Sequence, residues 1–406
     1  MESISDRLKS LGFKIASTLE TVEKHPQKSL EEEIGGIIIH NSLGSFVLKE
    51  HFFPTGYNHG NVVFSQEIVT NFISKVAKIE DNPPALTDML FLDTETSGLA
   101  GGSGTFAFLI GVGRFQNDGF HLQQLIIKDP AAESAMLLYL SELVTRSSAF
   151  VTFNGKSFDL PIINTRYILN KLPNSFRDNP HLDLLHISRK LWRKRIINCS
   201  LKDLEREILN FSRTGDDVPG WMIPEIYFEF LRTGDTKRIS NVIYHNTQDI
   251  VSLAAVFIQI STMLENNIHI EDIHPSDRIA IGRIFVDLGS REIAEKIFMQ
   301  SLDNKLSKFE LLEVNKLLGK FYKYTMEFGK AKTYWETSAD HEDLESCIEL
   351  AKYFEHHEKE IKTAIFWAKK AQQILEKNED ARFDAKMKKA IEARINRLIR
   401  KEAHYV

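Results

Sequence analysis

The chain has 406 residues, which is too long for one ordinary hydrophobic core and predicts two or three domains. Its 43% apolar and 26% charged residues are typical of a soluble globular protein and not of a fibrous or disordered one. A formal net charge of −5 argues against nucleic-acid binding by bulk positive charge, so any such binding would depend on local basic clusters or metal ions.

The two cysteines, Cys199 and Cys347, lie far apart in the sequence and do not form a C-x-x-C pair. They therefore predict neither a disulfide framework nor a zinc site. The N-terminus lacks the apolar centre of a signal peptide, and no run of about 18 uncharged apolar residues occurs. These features predict a cytoplasmic protein that does not associate with membranes.

The first 85 residues are predicted to form an N-terminal extension, whose mostly charged beginning carries no functional pattern. Residues 35–49 predict a β-hairpin, because two apolar runs flank a glycine-containing turn, and a helix is expected near residues 67–79. The consecutive prolines Pro83 and Pro84 can continue neither a helix nor a central strand. We therefore expect the first domain boundary there.

Strands alternate with helices from Met89 onwards. Apolar runs predict strands over residues 89–93, 105–113, 121–127 and 149–153, and helical spacing predicts a helix over residues 131–144. Three strands followed by a helix, a strand and a helix predict an α/β domain with a ribonuclease-H-like mixed sheet flanked by helices. We assign residues 86–268 to this domain.

Two carboxylates, Asp93 and Glu95, stand at the end of the first of these strands, shortly before Gly98. In an extended chain residues i and i+2 point to the same side, so both can face one point in space. Like charges held so close repel each other unless a cation lies between them, and carboxylate oxygens suit hard ions such as Mg²⁺ or Mn²⁺. For an isolated pair, a strand that simply ends in a polar turn is the commoner explanation.

A third carboxylate, Asp159, follows the strand at 149–153, with Asn154 and Phe158 in the intervening turn. In open α/β sheets ligands collect where the end of a strand turns into a helix. Taken alone, Asp159 is better explained as a carboxylate in the first turn of a helix, which the helix dipole stabilises by roughly 0.3–1 kcal/mol.

Apolar residues recur at intervals of three and four over residues 236–264 and predict one amphipathic helix. At about 100° per residue, His245 lies about 40° round this helix from Asp249, whereas Tyr244 lies about 140° away. His245 and Asp249 are therefore expected to share a face. The alternative is that Asn246 caps a new helix with Asp249 as its reciprocal partner, although the apolar period runs through this point.

Together the three motifs resemble those of DEDD-type 3′–5′ exonucleases. The wider sequence is similar to the YprB-like, ribonuclease-H-like family, to which mitomycin repair factor B belongs. The similarity is strong over residues 89–264 and looser over residues 36–60 and the C-terminal region. It rests on residues 92–96 with Asp93 and Glu95, on residues 108–111, on residues 153–159 with Asp159, and on Tyr244, His245, Asn246 and Asp249.

The resemblance implies a metal site for which the residue types are also suited. Asp93, Glu95, Asp159 and Asp249 would hold two divalent ions, Mg or Mn, about 3.5–4 Å apart, with Asp93 as the shared ligand. Such ions stabilise both the attacking and the leaving oxygen of a phosphodiester.

The identity of the general base is less clear from the sequence. His245 is our candidate, because an imidazole with a pKa near 6.5 can accept a proton at neutral pH. One DEDD subclass places a histidine five residues before the last aspartate and the other places a tyrosine four residues before it. Here Tyr244 and His245 occupy these two positions in exchanged order. The subclass therefore stays open, and the helical interval to Asp249 favours His245.

Arg189, Trp192 and Arg193 lie in a basic stretch between the second and third motifs. The cations could follow a phosphate backbone while the indole stacks on a base, but a solvated helix face explains the stretch equally well. Residues 212–236 contain several glycines and prolines and predict a loop-rich insertion that could shape a substrate channel. The predicted substrate contacts are completed by Asn154, Phe158 and Tyr244.

From residue 275 onwards only helical patterns remain. Similar fragments begin at residues 289, 326 and 359, at intervals of 37 and 33. A period near 34 resembles tetratricopeptide repeats, so residues 275–406 are predicted to form an all-α repeat domain, with a non-repetitive bundle as the alternative. Repeat stacks bind proteins on a concave surface, which predicts a protein partner. The basic last helix, residues 381–401, would either cap the repeats or touch nucleic acid.

The sequence thus predicts a metal-dependent 3′–5′ exonuclease joined to a helical protein-binding domain. The resemblance further implies DNA as the substrate, a repair setting and a helicase as partner. Two alternatives stay open: a catalytically idle scaffold that binds nucleic acid, and the same chemistry acting on RNA.

Overall fold

The computed structural model describes residues 28–405, apart from residues 66, 80–81, 99–103, 178, 216, 266–272, 303–305 and 378–383. The charged beginning of the chain, for which the sequence predicted no function, lies outside the described residues.

Seven of the nine described strands form one mixed sheet. The strands are β1 (Ile37–Asn41), β2 (Gly44–Pro54), β3 (Asn58–His59), β4 (Val62–Val63), β5 (Met89–Thr96), β6 (Ala107–Gln116), β7 (Gly119–Ile126), β8 (Ala149–Thr152) and β9 (His181–Asp183). The order in the sheet is β1-β2-β7-β6-β5-β8-β9, and β3 pairs with β4 alone. Strands β5, β8 and β9 run parallel, whereas the other neighbours are antiparallel. The predicted α/β fold with a mixed sheet is confirmed.

The predicted hairpin is present as β1 and β2, and it extends this sheet. Strand β2 pairs with β7 in a register that runs from Val47 opposite Ile126 to Pro54 opposite Gly119. Phe46, Val47 and Leu48 are buried in the same core as β5 and β6. The hairpin therefore belongs to the central sheet, although the sequence alone placed it in a separate extension, because its apolar face needs the rest of the sheet to cover it.

Helices cover both faces of the sheet. They are α1 (Leu30–Ile34), α2 (Asn71–Val76), α3 (Glu133–Thr145), α4 (Asp159–Leu169), α5 (Leu184–Trp192), α6 (Leu201–Glu207), α7 (Ile223–Thr233) and α8 (Lys237–Glu265), with single 3₁₀ turns at Leu86–Asp88, Pro130–Ala132 and Gly220–Met222. Helices α3, α4 and α7 share one core with alternate residues of β5 such as Leu92. On the other face Phe91 packs against Phe257 of α8, with ring centroids 5.4 Å apart. Because side chains alternate along a strand, Asp93 and Glu95 continue the row of Phe91 towards α8.

Helix α8 is the central helix of this domain. It spans the 29 residues Lys237–Glu265, which is almost the predicted range of 236–264, and no new helix begins at Asn246. By length and composition it is the one described helix that could cross a membrane, but 78% of its apolar window is buried inside the protein. Helix α8 is therefore the core helix of this domain.

The predicted loop-rich insertion at residues 212–236 is only partly a loop, because α7 occupies its second half. Pro224 lies in the first turn of α7, where its missing N–H costs nothing. Gly234 ends the helix with a φ of 73°, a left-handed conformation that glycine adopts readily. The proline and the glycine therefore delimit a helix that the sequence interpretation missed.

Seven further helices follow, namely α9 (Pro275–Asp287), α10 (Arg291–Ser301), α11 (Lys308–Tyr324), α12 (Phe328–Asp340), α13 (Leu344–His356), α14 (Ile361–Lys377) and α15 (Asp384–Tyr405). Consecutive helices pack together, and the recurring fragments occupy equivalent places between them. Gly289, Met326 and Lys359 all have a positive φ in the turn between two helices. The alanine five residues after each of them is completely buried, namely Ala294, Ala331 and Ala364. The assignment to tetratricopeptide repeats stays a prediction.

The helical region is packed directly onto the α/β domain. One hydrophobic core runs from the sheet through α8 into the C-terminal helices. Phe72 of α2 contacts Phe285 of α9 with ring centroids 4.9 Å apart, and Arg195 pairs with the buried Asp277 at 2.6 Å. These contacts bring α9 to the side of α5, and Lys194, just after α5, pairs with Glu313 of α11.

Candidate metal and active site

Strand β5 places Asp93 and Glu95 on the face that α8 covers. Asp93 lies opposite Gly111 of β6, and the regular register ends after Glu95. A Cβ atom on Gly111 would lie 2.3 Å from Oδ1 of Asn246, so only glycine lets α8 come this close. The approach allows Nδ2 of Asn246 to donate a hydrogen bond to Oδ2 of Asp93 over 3.0 Å. Asn246 therefore orients this carboxylate, and the alternative in which it caps a helix is wrong.

Asp159 reaches the same point from the turn between β8 and α4. Its Oδ1 accepts hydrogen bonds from the backbone N–H and the hydroxyl of Thr94, over 3.1 and 2.6 Å. The turn is held by Asp183, which accepts hydrogen bonds from the backbone N–H groups of Asn154 and Lys156 over 2.8 and 3.0 Å. Thr94 lies between the two carboxylates of β5, so Asp159 is fixed beside them.

His245 and Asp249 complete the cluster from α8, one helical turn apart. Nε2 of His245 is 3.3 Å from Oδ2 of Asp249 and 4.0 Å from Oε1 of Glu95. One potential ligand atom from each of these three residues lies within 4.8 Å of the others. Tyr244 points elsewhere, because its hydroxyl accepts hydrogen bonds from the N–H and the hydroxyl of Thr214. The structure thus brings His245, and not Tyr244, to the carboxylates.

Two residues that the sequence interpretation missed come from the loop before α7. Arg213 is almost completely buried and pairs with both Glu205, at 2.6 Å, and Asp249. Asp217 accepts a hydrogen bond from Nδ1–H of His245 over 2.6 Å. Neither residue has a periodic pattern or a motif around it, so the sequence offered no signal for them.

The hydrogen bond to Asp217 determines which atom His245 presents to the cluster. A neutral imidazole that donates from Nδ1 carries a lone pair on Nε2. That lone pair faces Oδ2 of Asp249 and Oε1 of Glu95, and the latter oxygen is buried without a hydrogen-bond partner. Three electron-pair donors therefore face one another, an arrangement that a proton or a cation stabilises. This donor set fits a divalent metal ion.

The carboxylates of the cluster on the sheet side have raised pKa values. Burial, together with the charges of neighbouring carboxylates, raises the pKa of both Asp93 and Glu95 well above their ordinary values. Burial also raises the pKa of Asp159, to about 6, although hydrogen bonds from Thr94 act in the opposite direction. The carboxylates on the sheet side thus resist ionisation unless a cation joins them.

On α8 the pKa of Asp249 is lowered, unlike that of the sheet-side carboxylates, and the pKa of His245 is raised. Burial acts against the ionised form of Asp249, but two effects outweigh it and lower the pKa of Asp249: the hydrogen bond that the protonated Nε2 of His245 donates in the metal-free protein, and the charge of Arg213. Burial acts to lower the pKa of His245, but the hydrogen bond and charge of Asp249 outweigh it and raise the pKa.

Comparisons with known proteins show the family to which the chain belongs. The RNase H superfamily profile matches residues 90–261, a range that contains all five clustered residues. Bacillus subtilis (strain 168) has a protein, YprB, that is 31% identical over 330 residues, which cover 79% of this chain and 78% of YprB. The chain belongs to the YprB family. It therefore carries an RNase H-superfamily domain, which is a nuclease-like domain.

A solved structure with a similar fold is the family B DNA polymerase from the hyperthermophilic archaeon Pyrobaculum calidifontis. The match covers 54% of this chain and 30% of the polymerase chain, with 14% identity and a TM-score of 0.37. A similarity of this size supports no argument about the YprB-family site.

The predicted substrate residues near the acidic cluster differ in exposure. Phe158 immediately precedes Asp159, and its ring is 56% exposed. Asn154 has a φ of 66°, a left-handed conformation that asparagine adopts more readily than most residues, and its backbone N–H donates a hydrogen bond to Asp183. Tyr244 is half-buried against the loop at Thr214. Phe158 is thus the most accessible of the three.

The prediction that Trp192 stacks on a base is wrong. Its side chain is completely buried in the core between α5 and the neighbouring helices. It lies on the apolar face of an amphipathic helix, where the need to cover the core decides its orientation. Arg189 and Arg193 lie on the exposed face of the same helix and line a cleft with the C-terminal helices.

Proposed function

We propose that the protein is a metal-dependent 3′–5′ exonuclease that hydrolyses phosphodiester bonds. The observation that carries this proposal is the group of Glu95, His245 and Asp249, whose potential ligand atoms lie within 4.8 Å of one another, with Asp93 and Asp159 near enough that their charges add to burial in raising the pKa of Glu95. Buried carboxylates that repel one another are a costly arrangement for stability alone, and they are common at sites that bind divalent ions.

The four carboxylates would hold two divalent ions, Mg or Mn. The family resemblance makes Asp93 the candidate for the shared ligand, and it lies near enough to Asp159 and Asp249 for their charges to add to burial in raising its pKa. Ions held there would stabilise the attacking and leaving oxygens of the phosphodiester and favour ionisation of the attacking water. Thr94 and Asn246 would keep Asp159 and Asp93 in position while ions and substrate exchange.

His245 would take the proton from the attacking water through Nε2. Asp217 supports this role, since its hydrogen bond to Nδ1–H fixes the ring orientation and makes Nε2, which faces Asp249, the ring nitrogen that accepts a proton. Arg213 would keep Asp249 ionised and in place, because it is held rigidly between Asp249 and Glu205. The exposed ring of Phe158 is suited to contact the terminal nucleotide beside Asp159.

The wider role is proposed from the family resemblance. DNA in a repair pathway is the favoured substrate, and the helical region is the proposed binding surface for a protein partner such as a helicase that exposes an end. Neither the DNA preference nor the partner follows from the chemistry of the cluster, which is the same for RNA.

The test uses matched single-stranded DNA and RNA oligomers labelled at either the 5′ or the 3′ end. The full chain is incubated with each, in Mg²⁺, in Mn²⁺ or in EDTA. We expect metal-dependent release of mononucleotides from the 3′ end, faster from DNA, and no release in EDTA. Binding without metal-dependent release would indicate an idle scaffold and contradict the proposal, and faster release from RNA would change the substrate.

A further inference from the structure

A basic groove lies between the RNase H-superfamily domain and the helical region. It is a cleft of about 860 Å³ bounded by α5, α9 and α11. Among its described lining residues seven are Lys or Arg and two are acidic, in a chain with a net charge of −5. The charge of the groove is therefore opposite to that of the whole protein.

Both acidic residues of the groove are already paired within it. Asp287 pairs with Lys190 at 2.9 Å, and Glu313 pairs with Lys194 and Arg283. Other basic side chains of the lining have no carboxylate partner among the described residues, namely Arg189, Arg193 and Lys320. These side chains come from both domains, so neither domain alone forms the positive surface.

Exposed aromatic rings lie beside these cations. Tyr324 lines the groove, is 69% exposed and has the guanidinium of Arg291 above its ring at 4.5 Å. Phe309 is also 69% exposed and lies near Lys194, in a second cleft of about 740 Å³ that continues from the first along α11. Cations combined with accessible ring faces are the features that bind a nucleic-acid strand whose bases are unpaired, because each base has a face that can stack.

The groove is connected to the acidic cluster by a single helix. Asp183, at the start of α5, holds the turn that precedes Asp159, and Arg189 and Arg193 lie near the other end of α5. A helix of nine residues is about 14 Å long. A strand whose end lies at the cluster could therefore continue into the groove.

We propose that this groove binds the phosphate backbone of a single-stranded nucleic acid upstream of the end that is hydrolysed. The proposal rests on the proposed function for the class of ligand, but it concerns binding and not hydrolysis. Arg189, Arg193 and Lys320 contact phosphates, and Tyr324 and Phe309 stack on bases. An acidic segment of a protein is the competing occupant, and it would leave the exposed rings without a role.

The experiment compares the full-length wild type with the double variant Arg189→Glu and Lys320→Glu, which changes one cation from each domain. Binding of a fluorescein-labelled 20-mer of thymidylate is followed by fluorescence anisotropy in EDTA, so that hydrolysis does not interfere. We expect the double variant to bind at least about tenfold more weakly. The slope of log affinity against log salt should fall by about 1.4, because two phosphate contacts are lost.

The matched control is the double variant Lys362→Glu and Lys369→Glu, which makes the same change of charge at two exposed lysines of α14. It should bind within about twofold of the wild type. Melting curves by circular dichroism establish that both variants fold. Equal affinity of the groove variant and the wild type overturns the proposal.

Two further measurements separate this proposal from its alternatives. Hydrolysis of the p-nitrophenyl ester of thymidine 5′-monophosphate, which is too short to reach the groove, should be the same in the groove variant and the wild type. That result would show an intact cluster, and an inactive wild type would contradict the proposed function without affecting the binding test. Loss of binding to a fluorescein-labelled peptide of ten glutamates, with unchanged binding to DNA, would assign the groove to an acidic protein segment and overturn the proposal.

Discussion

Two of the sites with buried carboxylates, one around Glu355 and one at the sheet edge, have opposite electrostatic surroundings. Glu355 of α13 has a completely buried side chain that pairs with Arg394, Arg397 and Lys401 of α15, each at 2.7–2.8 Å. Burial alone would raise its pKa, but these cations outweigh burial and lower the pKa to about 2. The basic last helix thus packs against the helical region through Glu355, which agrees with the capping role, one of the two roles predicted for it from the sequence.

The acidic cluster at the sheet edge has the opposite balance. Its basic partners among the described residues, Arg213 and His245, hydrogen-bond to Asp249. Asp93 has no ion pair among the described residues, and Glu95 has only the imidazole of His245 at 4.0 Å. At Glu355, which serves folding, the chain supplies the cations itself. Where carboxylates are gathered without them, the missing positive charge is expected to come from bound metal ions, and each prediction below tests this difference.

The largest effect is expected from Asp159→Asn. Substitution of residues that only orient a metal ligand costs 10–100-fold, so loss of a direct ligand should lower metal-dependent nucleotide release by at least about a hundredfold. The melting temperature should stay the same or rise, because a repelling charge is removed. Release rates and melting curves measure the two effects. Asp340→Asn, at a side chain that is 75% exposed, is the control, and equal activity of Asp159→Asn and the wild type would remove Asp159 from the ligand set.

A smaller loss of activity is expected from Asp217→Ala, about 10–100-fold in kcat with little change in KM, because the imidazole loses the partner that orients it. Asp217→Asn should recover part of this loss, since its amide oxygen still accepts a hydrogen bond from Nδ1–H. Steady-state kinetics distinguish the outcomes. If both variants lose activity through KM alone, Asp217 shapes substrate binding and does not position His245.

Glu355→Gln tests the site in which the chain supplies the cations itself, and it should affect stability but not nucleotide release. The lowered pKa corresponds to a stabilisation that is fully present above pH about 4.5 and is lost as the pH falls towards 2. Because Arg397 and Lys401 are partly exposed, we expect the variant to lose about 2 kcal/mol at pH 7. Urea unfolding at pH 7 and pH 3 measures this, and the difference from the wild type should shrink at the lower pH. A loss of the same size at both pH values would contradict the electrostatic explanation.

The smallest effect is the stabilisation by Mg²⁺. Since the pKa of Asp159 is raised to about 6, this carboxyl group binds more protons in the folded metal-free protein than in the unfolded chain between pH about 4 and 6, and its contribution to stability falls as the pH rises through this range. Mg²⁺ at ten times its Kd should add about 1.4 kcal/mol at pH 8, and protons should compete with it below pH about 6. Melting curves with Mg²⁺ or EDTA at pH 5 and pH 8 provide the measurement, and equal shifts at both pH values would contradict the prediction.

The sequence alone predicted the elements whose pattern is local. The alternation of side chains along β5 and the interval of four between His245 and Asp249 depend only on the repeat of a strand and of a helix, so each pair was expected on one face. Ser200 and Asp203 form a capping box at the start of α6, a motif that involves only neighbouring residues. The three motifs that carry the family resemblance predicted, in addition, that these residues come together in one site.

Other features depended on contacts between distant parts of the chain. A basic stretch around a tryptophan does not reveal which residues face the core, and packing against the C-terminal helices buried Trp192 while it left Arg189 in the groove. Arg213 and Asp217 lie in a loop without a repeating pattern, and they reach the cluster only because the described part of that loop packs across α8. The sequence by itself determined which residues could bind a metal ion. Only the tertiary structure decided which basic groups stand beside them and which stand apart, because electrostatic partners are chosen by distance in space and not by distance along the chain.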